Sequence, residues 1–170
     1  MSDLPASRSS PVQLPRRLAA IVYDSLLLTA VLLVATGLAL GLAVAILGSE
    51  SVKHHSPLPG NPFFSTYLLL VCFFFYGGFW IHGGQTLGMR AWRLRVQRLD
   101  GRGIGWWQVL LRFLIGGLWL VPVAYLDRAL GVGTSLSLSV GLACLTLMLA
   151  LRLPDRLSET ELVLLPKRGR

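Results

Sequence analysis

Apolar positions in this chain come in long blocks. Leu18 to Leu47 is apolar with little interruption, and from Ser25 to Ser49 there are 25 residues without a charge. A second block, Phe63 to His82, is aromatic-rich and uncharged. A third runs from Val109 to Leu126 and a fourth from Leu136 to Leu151 with its flanks. About 20 apolar residues in a helix cross the ~30 Å hydrocarbon core of a bilayer. The blocks therefore predict four transmembrane helices, over residues 18–47, 63–82, 109–126 and 134–151. The first is longer than a span requires, so it tilts or projects into water. Its uncharged stretch also exceeds the roughly 7–15 residues of a signal-peptide core, which makes it a retained anchor. Gly116, Gly117 and Pro122 interrupt the third and predict a kinked or partly re-entrant helix.

The segments between the blocks are polar. Residues 1–15 carry serines and prolines and read as a flexible tail. Gly48 to Pro62, with Pro57, Pro59, Gly60 and Asn61, reads as a loop. Within the basic stretch from Gly83 to Trp107, "RLRVQRLDG" alternates, placing Leu94, Val96 and Arg98 on one face of a short strand that ends in an Asp100-Gly101 turn. The C-terminal "ETELVLLPKRGR" alternates weakly and predicts a second strand beside the first, with residues 166–170 as a basic tail. The predicted fold is an all-α membrane protein, a four-span helical bundle with short cytoplasmic strands.

Charge sets the orientation. Only 14% of residues are charged and 54% are hydrophobic, while the net charge is +8. The basic residues alternate with apolar blocks and form no continuous patch, so a membrane rather than a nucleic acid accounts for the excess. With both termini in the cytoplasm, 14 of the 16 Lys and Arg residues fall inside, and only Lys53 and Arg128 fall outside. Three spans would put the C-terminal cluster on the wrong side. A bacterial cytoplasmic membrane is the expected location. Cys72 and Cys144 have no partner at metal-ligand spacing and read as small buried hydrophobes. His54 and His55 read as solvated loop residues, His82 as interfacial, and Trp80, Trp106 and Trp107 as belt anchors. No metal, no cofactor and no enzymatic activity are expected, because nothing pairs a nucleophile with a base.

The acid in "RRLAAIVYD" is the exception to an otherwise lipid-compatible run. Six residues of helix past Leu18 put Asp24 ~9 Å into the hydrocarbon. An unpaired carboxylate there costs on the order of 2–3 kcal/mol. Arg17 is on the same face but leans toward the N-terminus, away from Asp24. Arg112, at similar depth in the third span, is the expected partner. With Asp155 past the fourth span, the four residues Arg17, Asp24, Arg112 and Asp155 form a predicted charged cluster at the cytoplasmic mouth. Three roles stay open: ion pairs that lock the helices together, a pathway for protons or monovalent cations, or a partner-docking surface. Gly37, Gly41 and Ala45, four apart, let another helix approach closely.

These residues resemble the RDD family of small bacterial membrane proteins. The arginine and first aspartate of that family match Arg17 and Asp24. "GQTLGMRAWRLRVQRLDG", Gly84 to Gly101, resembles its central segment, followed by "QVLLRFL", and "DRLSET" offers Asp155 as the second aspartate. The resemblance singles out Gly84, Gln85, Thr86, Gly88 and Arg90 as a motif loop. Met89 stands where a lysine is usual, and no histidine precedes Asp155. The resemblance implies a multi-pass protein in contact with lipid. Cation/proton exchange has been suggested for some members, and the implied assemblies are a homo-oligomer or a complex with another membrane protein. The alternative is a structural or accessory subunit that docks through its basic loop.

Overall fold

The computed structural model describes residues 12–54 and 57–166. The tail before Val12, His55 and the basic cluster from Lys167 lie outside the described residues. Helix α1 (Leu14–Leu47) starts with Pro15 in its first turn, where a missing N–H is no loss, and then meets no helix breaker for 34 residues. At 1.5 Å per residue it is about 51 Å long, well beyond one bilayer core. Most of its side chains face outward: Leu26, Leu33, Leu38 and Ile46 are exposed, and only Arg17, Ala20, Asp24 and Ala35 are buried.

A short helix α2 (Ser49–His54) follows. Asn61 then caps α3 (Pro62–Gly83), its side chain accepting the Phe63 N–H at 2.9 Å. After α3 come a one-turn helix α4 (Leu87–Ala91) and strand β1 (Leu94–Arg98). The third passage is broken into α5 (Trp106–Gly117) and α6 (Leu120–Arg128). The predicted interruption is present, and it falls just after the glycine pair. Pro122 sits in the first turn of α6, where a proline is tolerated, so the break lies upstream of its ring.

Helix α7 (Thr134–Ala150), α8 (Leu153–Leu157) and β2 (Thr160–Leu164) complete the chain. Three stretches are long and apolar enough to cross a membrane: Leu14–Leu47, Pro62–Gly83 and Trp106–Arg128. The fourth expected span, 134–151, is present as a shorter apolar helix, Thr134–Ala150. Helix α7 has 17 residues, about 25 Å of rise, because the backbone turns left-handed at Arg152 (φ 56°) just after it.

The two strands pair as predicted. They run antiparallel, with Leu94 opposite Leu164, Val96 opposite Leu162 and Arg98 opposite Thr160. Leu94 and Val96 are fully buried, whereas Arg98, two residues further along the strand, is exposed at its end. The Val96 N–H reaches the Gly84 carbonyl at 2.7 Å, which ties the sheet to the end of α3.

The packed core lies beside this sheet. Trp80, Val96, Ile104 and Val109 form one cluster, and Val12, Ala20 and Leu94 a second. Trp80, expected as an interfacial anchor, is instead buried in it; Trp106 and Trp107 remain exposed. Among the described residues no atom lies within 4 Å of a Cβ added at Gly37 or Gly41, so no described helix packs on those two glycines. The close approach between α6 and α7 occurs at Gly141, against Val123 and Trp119.

Candidate functional site

The start of α1, the end of α3, the first half of α5 and the segment after α7 all converge at the sheet end of the bundle. That convergence brings the predicted charged residues together, in two separate arrangements.

The first is built on Asp155. It lies in α8, directly below α7, and its side chain is only 7% exposed. Arg17 Nη1 is 2.7 Å from its Oδ2, and Arg112 Nη1 is 2.7 Å from its Oδ1. One carboxylate therefore bridges two guanidiniums from α1 and α5. Both contacts lie off the ideal hydrogen-bond direction, so they are ion pairs rather than directed hydrogen bonds. Arg112 is held on two further sides. Its guanidinium carbon lies 5.5 Å from the Trp80 ring centroid, a cation–π distance, and its Nη1 donates to Thr160 Oγ1 at 2.8 Å.

The hydroxyls behind Arg112 are ordered by counting protons. Ser158 Oγ donates to the Pro154 carbonyl, so the Ser158–Thr160 contact at 2.8 Å must use the Thr160 proton. Thr160 then offers Arg112 a lone pair. The chain Arg112 to Thr160 to Ser158 to Pro154 is saturated, and it fixes the guanidinium from behind.

The second arrangement is built on Asp24, which is 3% exposed. Its expected pairing with Arg112 is not formed. Thr86 Oγ1 donates to Asp24 Oδ2 at 2.5 Å, and the Gly88 N–H donates to Oδ1 at 2.8 Å. Thr86 is also the N-cap of α4, its Oγ1 accepting the Met89 N–H at 3.1 Å. Asp24 thus holds the first turn of α4 against α1, and charge-assisted donors replace the arginine as its partners.

Gly88 makes this possible. A Cβ there would lie 2.9 Å from both Asp24 Cγ and Oδ1 and closer still to the Ala20 carbonyl. Only a residue without a side chain lets the α4 backbone come within hydrogen-bond reach of α1. The rest of the motif loop divides the remaining tasks. Gly84 ends α3 in the left-handed conformation (φ 68°), and Gln85 Nε2 donates to the Leu94 carbonyl at 2.6 Å. Arg90 is exposed.

The four-residue cluster is therefore corrected to a triad, Arg17–Asp155–Arg112, and a separate Asp24–Thr86–Gly88 staple. Residue spacing left Thr86 and Gly88 unconnected to Asp24, it read Trp80 only as a belt anchor, and it offered no role for Ser158 or Thr160. The available signals were a threonine at an N-cap position before "LGM" and the Ser and Thr that follow "DRL". Among the described residues no group of three or more His, Cys, Asp and Glu is placed to hold a metal ion.

No curated protein and no solved structure matches the chain. The model of the RDD family, a family of membrane proteins, matches residues 11–159, a stretch that contains Arg17, Asp24, the whole motif loop, Arg112 and Asp155. The chain belongs to the RDD family.

Proposed function

We propose that this protein is a membrane-anchored accessory subunit. Its buried charges serve to build a rigid base, and its basic loop docks another membrane protein. The observation that carries this reading is that every oxygen of the two buried acids is already engaged within the chain, Asp24 by hydrogen bonds and Asp155 by ion pairs. Asp24 has two donors from the motif loop, and Asp155 has two guanidiniums. An ion pathway needs a carboxylate that can exchange its partner for water or a cation, and each of these is committed to holding elements together. The base is also where the tight packing lies, while the outer faces of α1 and α3 are free for lipid or a partner helix.

In the orientation required by the distribution of Lys and Arg, the sheet end and the termini face the cytoplasm. The docking surface is then β1 with the turn after it, which bear exposed Arg95, Arg98 and Arg102, with Asp100 3.7 Å from Arg98. Like charges on one surface steer an acidic partner and discriminate against basic ones.

The test is a reconstitution in two arms. Purified protein in liposomes is assayed for pH-gradient-coupled flux of Na⁺ and K⁺. In parallel, the native complex is isolated from the membrane with the wild-type loop and with Arg95, Arg98 and Arg102 changed to Gln. The accessory role requires no coupled flux, and a fixed-stoichiometry partner that the loop variant loses. Coupled flux abolished by Asp24→Asn in a folded protein would instead establish a cation/proton exchanger.

A further inference from the structure

Beside the Arg17–Asp155 pair the surface opens into a cavity of about 390 Å³. Its walls carry Arg17, Arg152 and Arg156 together with Asp155, Thr160 and Glu161. The volume falls within the range of small-ligand sites and exceeds what a single ion needs.

The charges do not balance. Both oxygens of Asp155 are taken, by Arg17 and by Arg112 behind it. Glu161 Oε1 accepts from Gln97 Nε2 at 2.6 Å. The Thr160 proton is committed to Ser158. Among the described residues no carboxylate oxygen lies within 4 Å of the Arg152 or Arg156 guanidinium, so three guanidiniums line the cavity against Asp155 and Glu161, and Asp155 is shared with Arg112 behind it. Arg152 and Arg156 are also one helical turn apart: the Arg156 N–H bonds the Arg152 carbonyl at 2.9 Å. Like charges at this spacing repel each other, and a shared anion between them removes the repulsion.

We propose that this cavity binds a phosphate group, gripped by the side chains of Arg152 and Arg156 with Arg17 at its floor. Guanidinium forks match phosphate oxygens in pairs, which a carboxylate-saturated pocket of lysines would not. The cavity lies just past the end of α7 and beside the start of α1, so a phospholipid headgroup and a soluble phosphoester both present the chemistry it recognises. This inference does not depend on the accessory role, since it concerns a ligand site apart from the basic loop.

The experiment uses full-length protein and two probes. Inorganic phosphate is titrated in neutral detergent. Phosphatidic acid is titrated into nanodiscs of phosphatidylcholine, and thermal stabilisation and native mass spectra are read for both. Arg156→Gln and Arg152→Gln are each expected to weaken binding about tenfold, the loss of one charge-assisted contact. Arg128→Gln, which removes the same charge from an exposed position outside the cavity, should leave it unchanged. Arg156 is exposed, so its substitution does not endanger folding. Saturation by inorganic phosphate identifies a soluble phosphoester site, and saturation by phosphatidic acid alone identifies a lipid headgroup site. No saturable binding of either probe, or equal weakening by Arg128→Gln, overturns the proposal.

Discussion

Asp155→Asn is the sharpest perturbation of the charged base. The substitution keeps the shape of the side chain and removes one negative charge. What remains is two guanidiniums whose side chains are 6% and 9% exposed, each 2.7 Å from the atom that neutralised it. Breaking a buried ion pair by deleting one member costs about 3–5 kcal/mol, because the survivor stays desolvated and unpaired. Here two survivors also repel each other, which places the expected loss at the upper end of that range. Whole domains are stable by only about 5–15 kcal/mol, so the variant should be close to unfolding.

The assay is reversible denaturation in mixed micelles, followed by tryptophan fluorescence, since Trp80 stacks on Arg112. The companion variant changes Arg17 and Arg112 to Met together with Asp155→Asn. It removes every charge of the triad, and apolar replacement of a buried ion group is often neutral or stabilising. The triple variant should therefore be more stable than Asp155→Asn alone. The reasoning fails if Asp155→Asn costs less than about 1 kcal/mol, the range of an exposed pair. It also fails if the triple variant loses the sum of its single substitutions, since additivity means that the residues are not partners.

The staple predicts a second set of outcomes. Gly88→Ala places a methyl 2.9 Å from the Asp24 carboxylate and against the Ala20 carbonyl, which is backbone and cannot yield. The expected cost is about 1–3 kcal/mol from overpacking, with a further ~1.5–3 kcal/mol if the Gly88 N–H leaves Asp24, measured in the same denaturation assay. Thr86→Val keeps the volume but removes both the donor to Asp24 and the cap of α4. It should destabilise by about 2–4 kcal/mol, and Thr86→Ser should restore most of that. Gly37→Leu with Gly41→Leu meets open space in this chain, so monomer stability should change by no more than ~0.5 kcal/mol. A change in oligomer mass by light scattering with these same substitutions would identify the stripe as a seam between copies.

Much of the architecture was legible because the partition of side chains between lipid and water is a local property. Uninterrupted apolar blocks located α1, α3 and the third passage to within a few residues. The glycine pair and Pro122 announced the break between α5 and α6, and period-two alternation found β1. The fourth block located α7 to within one residue, 134–151 against Thr134–Ala150, but the left-handed turn at Arg152 that follows it leaves no mark in hydropathy.

The pairing of charges was not legible. Asp24 and Arg112 lie at similar depth, and depth is all that helix rise supplies. Two arginines stand before two acids, and charge alone is indifferent among the pairings. The choice was made by backbone positions. The turn after α7 carries Asp155 beneath both α1 and α5, within reach of two arginines at once. The missing side chain at Gly88 admits the first turn of α4 to Asp24, whose carboxylate is then filled by an amide and a hydroxyl. The sequence by itself thus determined a basic, multi-pass membrane protein with two buried acids. Only the tertiary structure decided which acid locks the bundle and which one staples the motif loop, because that depends on how closely two backbones can approach.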